Sequence, residues 1–164
     1  MRKLLSYLPL ILFVICIVSC TADDEDENPC GNENFTPFLL QVVDQSGENI
    51  LAFEEVDPSE IQIYYLNDEN EEEMVDFMVY NSSIGAPYIF SRQMTILSIS
   101  EVHDFVIRLN PDNEVQLNYI VNFSEDTGCR VYDYEARDQN NNELQLSTEG
   151  SPRTYLVTVA FDPA

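Results

Sequence analysis

Side chains able to carry acid–base or nucleophilic chemistry are scarce in this chain of 164 residues. His103 is the only histidine, so a Ser-His-Asp centre would have to use it, and a zinc site of several histidines is excluded. The sequence has no Gly-x-Ser-x-Gly elbow, phosphate-binding glycine loop or dinucleotide fingerprint. Its 30 acidic residues make carboxylate pairs inevitable, so no single pair indicates a glycosidase. We therefore predict that the protein is not an enzyme, that it uses no cofactor, and that His103 lies in a surface turn.

The charge balance excludes binding to nucleic acid or to anionic membranes through basic side chains. The chain has 30 acidic residues against 7 basic ones and a formal net charge of −23, which repels both kinds of partner. Acidic runs at residues 69–73 and 112–114 are candidates for weak divalent-cation binding. Because neither run has the spaced ligands and the glycine of a calcium loop, solvated turns are the favoured interpretation.

The first twenty residues have the organisation of an export signal. Arg2 and Lys3 precede an apolar stretch at residues 8–18, which is shorter than the about 20 residues that a membrane-spanning helix needs. The stretch ends in Ile17-Val18-Ser19-Cys20, which resembles the lipobox of bacterial lipoprotein precursors. An ordinary secretory signal with a coincidental cysteine is the alternative.

The lipoprotein resemblance implies a covalent anchor in the bilayer. It implies that residues 1–19 are a signal peptide cut after Ser19, and that Cys20 carries the lipid. Each buried methylene contributes about 0.8 kcal/mol, so two or more acyl chains hold a protein at a membrane almost permanently.

Residues 20–34 are predicted to be a flexible tether. Five consecutive carboxylates at residues 23–27 repel one another and keep this segment extended. The acidic run is similar to the surface-export signal of Bacteroidota lipoproteins, which implies display on the outer face of the outer membrane. Because Thr21 and Ala22 separate the run from Cys20, an anchor facing the periplasm is the alternative.

Two cysteines remain once the signal is removed and Cys20 carries lipid. In an oxidising compartment we expect Cys30 and Cys129 to form a disulfide. It would close a loop of roughly a hundred residues, worth up to about 4.7 kcal/mol in the chain-entropy account. Two free thiols, or pairing with another chain, are the alternatives.

From residue 35 onward the apolar pattern alternates as in half-buried strands, without a three-turn amphipathic helix. Residues 114–123 show it best, since every second residue from Val115 to Phe123 is apolar. We predict further strands at residues 38–43, 50–53, 61–65, 74–80, 88–90, 94–99, 105–109, 131–137, 144–146 and 155–161.

About eight to eleven short strands at this spacing predict a single all-β domain at residues 35–164. An antiparallel β-sandwich is favoured because several strands are apolar on both faces, and a small antiparallel β-barrel is the alternative. The opening strand and the Ser46-Gly47 turn resemble the start of immunoglobulin-like or transthyretin-like modules of exported bacterial proteins. That resemblance implies the fold and no function.

Tyrosines are the residues best suited to recognising a glycan or an envelope protein. Adjacent Tyr64 and Tyr65 must point to opposite faces of a strand, so one of them is expected to be exposed or near an edge, whereas Tyr132 and Tyr134 share a face. We therefore expect a lipid-anchored binding or accessory module. An assembly subunit of an envelope complex and a barrel-type carrier of an apolar ligand are the alternatives.

The charge imbalance generates the first prediction. Without the signal the chain keeps five arginines, no lysine and all 30 acidic residues, a net charge of −25 that destabilises the compact state. Added salt screens this repulsion, so we expect the melting temperature to rise between low salt and about 0.5 M salt. Calorimetry measures it, and a flat or falling melting temperature contradicts the prediction.

Overall fold

The alternating apolar residues form strands along most of the chain that the structure describes. The computed structural model describes residues 35–54, 56–81, 86–126, 129–147 and 154–160. All of them belong to one compact unit, Glu33–Ala164. The predicted signal peptide and tether, at residues 1–34, lie outside the described residues.

The strands are numbered in chain order. They are β1 (Phe38–Val43), β2 (Gln62–Leu66), β3 (Glu72–Met74), β4 (Met78–Tyr80), β5 (Tyr88–Ser91), β6 (Asp104–Asn110), β7 (Asn113–Asp126), β8 (Cys129–Asp138), β9 (Gln145–Leu146) and β10 (Tyr155–Thr158). One α-helix, α1 (Arg92–Ile99), separates β5 from β6, and a 3-10 helix, Ile50–Ala52, follows β1.

Two five-stranded sheets make up the sandwich. Sheet 1 has the order β4-β5-β1-β10-β9, and sheet 2 has the order β3-β2-β6-β7-β8. The predicted all-β sandwich is confirmed. The alternative of a closed barrel is wrong, because each sheet ends in its own edge strands.

The core lies between the two sheets and is built by strand alternation. In sheet 2, Ile63, Ile107 and Val115 lie opposite one another on three successive strands, and all three are buried. In sheet 1, Leu40 and Ile89 form a similar buried pair. Side chains of one parity therefore face the core, and those of the other parity form the outer faces of the sheets.

One pair of strands departs from the predicted antiparallel arrangement. β1 and β10 pair in parallel, with Leu40 opposite Tyr155 and Val42 opposite Val157. The two strands come from opposite ends of the described chain, so no hairpin sets their direction.

The prediction of a strand at residues 94–99 is wrong, because these residues belong to α1. Ser91 caps the helix, its hydroxyl oxygen accepting the N–H of Met94 at 3.1 Å. The Ser98 hydroxyl donates to the carbonyl of Tyr119 at 2.9 Å and accepts the N–H of Val121 at 2.8 Å. Ser98 thus provides hydrogen bonds for backbone groups of β7 that lie beyond the first residue of β6. Two buried polar residues, Thr95 and Ser98, hide the helical pattern in a helix of only eight residues.

Two further strand predictions are corrected. Residues 50–53 form a 3-10 helix instead of a strand, and the side chain of Asn49 caps it by accepting the N–H of Leu51 at 3.0 Å. Residues 74–80 contain parts of two strands, because β3 is an edge strand of sheet 2 and β4 is an edge strand of sheet 1. The buried Val75 between them marks the point where the chain leaves sheet 2.

Three loops share one five-residue arrangement that begins with Asp or Asn. If the first residue is numbered i, its side-chain Oδ1 accepts the backbone N–H groups of residues i+2 and i+4 at 2.8–2.9 Å. Residue i+3 has a positive φ in each of the three loops. The first residues are Asp44, Asn67 and Asp138, and the positive-φ residues are Gly47, Asn70 and Asn141. Small polar residues fix these turns locally because Asn and Gly tolerate the left-handed region.

The Asp138 loop predicts a specific acid sensitivity. The side chain of Asn142 donates to Asp138 Oδ2 at 2.9 Å, and with nearby N–H groups it lowers the pKa of Asp138 below its usual 3.8. A carboxyl with a lowered folded pKa stabilises above its unfolded pKa and loses this contribution as pH falls through the folded pKa. The variant Asp138→Asn keeps the Oδ1 acceptor, as Asn67 does in its own loop. We expect its melting temperature to fall less between about pH 7 and about pH 3 than that of the unmodified protein.

The matched control is Asp112→Asn, in the exposed tip between β6 and β7. This variant should keep the acid response of the unmodified protein. If Asp138→Asn and the unmodified protein lose the same melting temperature, the prediction is wrong.

Candidate binding surface

Charged residues are segregated between the two sheets. The strands of sheet 1 contain no Asp, Glu, Lys or Arg, whereas every strand of sheet 2 except β2 contains at least one. In a chain of net charge −23 this is a strong departure from an even distribution. The strands of sheet 1 therefore place no charged side chain on its outer face, although Gln145, Leu156 and Thr158 at the β9–β10 end border a cleft that carboxylates also line.

We call this surface the neutral face and define it by the side chains of sheet 1 that point away from the core. It consists of Leu39, Gln41, Val43, Met78, Tyr80, Tyr88, Phe90, Gln145, Leu156 and Thr158. Leu39, on the central strand β1, is only 4% exposed. The strand register places them on one side, since Leu39 lies opposite Phe90, and Tyr88 lies opposite Tyr80. Met78 and Tyr80 on the edge strand are 52% and 44% exposed, so this part of the face is open to solvent.

Aromatic rings form the β4–β5 half of the neutral face. The rings of Tyr80 and Tyr88 stack with centroids 5.4 Å apart and an angle of 12° between their planes. Phe90 meets Tyr80 edge-on with centroids 5.7 Å apart. Such ring pairs are rigid and cost little side-chain entropy on binding, which suits recognition.

The outer face of sheet 2 has the opposite character and is organised around Arg108. Its guanidinium donates to carboxylate oxygens of Glu114 at 2.5 Å and Glu72 at 3.2 Å. It also donates to the Gln62 side chain at 3.1 Å and to the Tyr64 hydroxyl at 3.0 Å. The network joins four neighbouring strands, from β3 to β7, and its carboxylates raise the pKa of Arg108.

Arg108 also explains where Tyr64 lies. The guanidinium carbon is 4.7 Å from the centroid of the Tyr64 ring and covers it, so Tyr64 is only 5% exposed although it faces outward. Burial, followed by the nearby Glu114, raises the pKa of Tyr64. The expectation of opposite faces for Tyr64 and Tyr65 agrees with the register, but the outward tyrosine is covered instead of exposed.

The long β7–β8 hairpin carries a second aromatic group. Tyr132 and Tyr134 share a face, as predicted, with ring centroids 6.4 Å apart. Phe123 lies opposite Tyr132 and is 54% exposed. The hydroxyl of Tyr134 accepts the N–H of Thr36 at 2.7 Å, which fixes the entry of the chain into β1. Tyr132 also meets the ring of Phe35 edge-on, so the two tyrosines pack the N-terminal side of the domain, whereas Phe123 remains largely exposed.

A cleft of about 660 Å³ opens beside β9 and β10. Its walls are rich in carboxylates and amides, among them Asp112, Glu114, Asp138 and Glu143. Within the described ranges, no three or more His, Cys, Asp or Glu side chains are grouped to hold a metal ion. The acidic runs at residues 69–73 and 112–114 each span a hairpin turn and the start of the strand that follows it, and Glu72 and Glu114 from the two runs meet at Arg108.

The remaining predicted residues are distributed as follows. His103 lies in the connection between α1 and β6, half-buried, and its carbonyl accepts the N–H of Tyr119 at 2.8 Å. Cys129 begins β8 and is disulfide-bonded. Cys30 and Cys20 lie outside the described residues, so the Cys30–Cys129 pairing and the lipid on Cys20 stay predictions.

Sequence reasoning missed the neutral face as a unit. The signal was present, because residues 38–43, 78–80, 88–91 and 155–158 all lack charge. Only the sheet order shows that these segments are neighbours.

Comparison of the chain with protein-family models, curated proteins and solved structures finds no match. No helix in the described ranges combines the length and the hydropathy that a membrane crossing requires.

One residue at the start of β10 gives a stability prediction. Thr154 is 2% exposed, and its hydroxyl is buried without a hydrogen-bond partner. An unsatisfied buried polar group costs about 1–3 kcal/mol, so the near-isosteric Thr154→Val should increase the free energy of unfolding by about 1 kcal/mol. Urea denaturation measures it, with the exposed Thr158→Val as the control, which should change stability by less than about 0.5 kcal/mol. A loss of stability in Thr154→Val contradicts the prediction.

Proposed function

We propose that the protein is a binding module, anchored in the outer membrane by lipid on Cys20 and displayed at the cell surface, that docks a partner on the neutral face. The observation that carries this proposal is the absence of charge from all five strands of sheet 1 in a strongly acidic chain. Depletion of acidic residues together with Tyr, Phe and Met is the composition found at the centres of binding surfaces.

Binding is favoured over catalysis by the kind of groups that the neutral face offers. Rings, a thioether, amides and hydroxyls give contact area and hydrogen bonds but no general acid or nucleophile at neutral pH. Half-exposed Met78 and Tyr80 would lose unfavourable contact with water when covered. The anchor rests on the Ile17-Val18-Ser19-Cys20 resemblance, and the acidic residues 23–27 would act as the spacer.

An assembly subunit of an envelope complex is the second candidate. It uses the same face but requires a stoichiometric membrane-protein partner. A carrier of an apolar ligand loses its basis, because the sheets do not close into a barrel and the space between them is filled by buried apolar side chains.

The proposal is tested by placing one negative charge on either outer face. We expect Tyr80→Asp to abolish the adducts that a membrane-impermeant crosslinker forms with the full-length protein on intact cells, because a carboxylate on the neutral face must be desolvated when a partner binds. Gln116→Asp, on the exposed outer side of β7, adds the same charge to sheet 2 and should keep the adducts.

Three results are informative. Equal adducts in both variants, at equal melting temperature, contradict the neutral face as the docking site. Adducts that form only after lysis contradict surface display. A single membrane protein in stoichiometric amount favours the assembly subunit.

A further inference from the structure

We propose that a second copy of this protein binds along β8, so that two antiparallel β8 strands join the two copies of sheet 2 into one continuous sheet. The binding surface is the part of β8 at residues 130–135, which we call the open edge. It is separate from the neutral face, so the inference goes beyond the proposed function and does not depend on it.

The edge strand β8 is much longer than the other edge strands of the sandwich. It has 10 residues, against 3 in β3, 3 in β4 and 2 in β9. A short edge strand limits pairing with another chain, whereas a long one presents a template of unpaired backbone groups. The last residues of β8 are covered, because the N–H of Leu144 donates to the carbonyl of Ala136 at 2.8 Å. Apart from β7, no described residue forms a backbone hydrogen bond with the open edge.

The bond at Ala136 also fixes which backbone groups of the open edge are unpaired. Ala136 directs its carbonyl away from β7, and this direction recurs at every second residue of an antiparallel strand. The register between β7 and β8 has no shift along its length. The N–H and carbonyl groups of Arg130, Tyr132 and Tyr134 therefore also point away from β7, while the residues between them use theirs in the ladder with β7.

Only one antiparallel register pairs these three residues with the same three residues of a second copy. It places Tyr132 opposite Tyr132 of the second copy, and Arg130 opposite Tyr134 of the second copy on both sides of this centre. Each pair exchanges two backbone hydrogen bonds. A shift of the register centre to residue 133 would put Asp133 opposite itself, and like charges directly opposite one another are destabilising. A shift of the centre to residue 131 would leave Tyr134 without a partner on the open edge.

The side chains of the open edge are complementary to themselves in this register, which favours a second copy over an unrelated strand. Arg130 lies opposite an aromatic ring, beside which a guanidinium is attracted by the ring's electrons. Val131 lies opposite Asp133 of the second copy, so no two like charges are directly opposed. Both arrangements occur twice, because the two-fold axis that relates the copies passes through the Tyr132 pair.

An exposed aromatic residue lies next to the proposed interface. Phe123 on β7 is 54% exposed, and its ring centroid is 6.3 Å from that of Tyr132. In the pair of copies, Phe123 and Tyr132 from each copy form one row of four rings across the joined strands. Aromatic pairs of this kind stabilise an interface beyond the area that they bury.

The charge of the domain opposes this association and gives it a characteristic salt dependence. Two copies of net charge about −25 repel each other, and salt screens this repulsion. We expect a reversible monomer–dimer equilibrium whose dissociation constant falls between low salt and about 0.5 M salt. Because each dimer uses both of its open edges, association should stop at two copies.

The test measures the protein mass of the full-length protein by sedimentation equilibrium in a density-matched mild detergent. Val131→Asp puts a carboxylate opposite Asp133 of the second copy twice, and it should raise the dissociation constant at least about fivefold. Gln116→Asp is the matched control, since it adds the same charge to the outer side of sheet 2 on β7, away from the open edge. It should leave the dissociation constant unchanged.

A double variant tests the register directly. Val131→Asp combined with Asp133→Val exchanges the two side chains, so that Val again lies opposite Asp in the Tyr132-centred register. This variant has the composition and charge of the unmodified protein and should recover its dissociation constant. Melting temperatures of all variants establish that each one is folded.

Four results overturn the inference. The first is a monomer at every concentration up to about 100 μM in about 0.5 M salt, where even a weak dimer would form. The second is an equal dissociation constant for folded Val131→Asp and the unmodified protein, which places the contact on the lipid or on another surface. The third is failure of the double variant to recover association. The fourth is association that continues beyond two copies.

Discussion

The constraint on which the rest of this structure depends is the placement of a large surplus of carboxylates around a small core. The described ion pairs use only two cations, Arg108 and Arg137, so most acidic side chains must remain in water. Sheet 2 and the connecting loops carry the charged groups. Sheet 1 has apolar residues on both of its faces, and its strands therefore add no charged side chain to its outer surface.

Arg108 shows how one cation serves several elements under this constraint. Its guanidinium binds Glu72 on β3 and Glu114 on β7 and covers the ring of Tyr64 on β2. A lysine could not replace it, because an ammonium group has no planar fork with which to reach several acceptors while lying flat on a ring.

Carboxylates in the loops have no such cation and are stabilised in a different way. Asp44 and Asp138 use their carboxylates as acceptors for backbone N–H groups, so each acidic side chain also fixes the turn that carries it.

Strand alternation made the fold class and most elements predictable. β6 and β7 are recognisable because Phe105, Ile107 and Leu109, and then Val115 and Leu117, alternate with polar residues. α1 was not recognisable, since its buried positions include Thr95 and Ser98, whose hydroxyls are satisfied only by tertiary contacts. The neutral face and the Arg108 network depend on which strands become neighbours. Local pattern carries no information about the parallel pairing of β1 with β10 or the transfer of the chain from β3 to β4.

The central position of β1 has a mechanical consequence. The chain enters β1 from its N-terminal side, and β1 is held between β5 and β10. A pull along this strand loads both of its hydrogen-bond ladders in shear, so the bonds share the force instead of opening one after another as they would at a hairpin end. A domain held by its N-terminus under flow or drag would thus receive tension through a strand that is paired on both sides instead of through an edge strand.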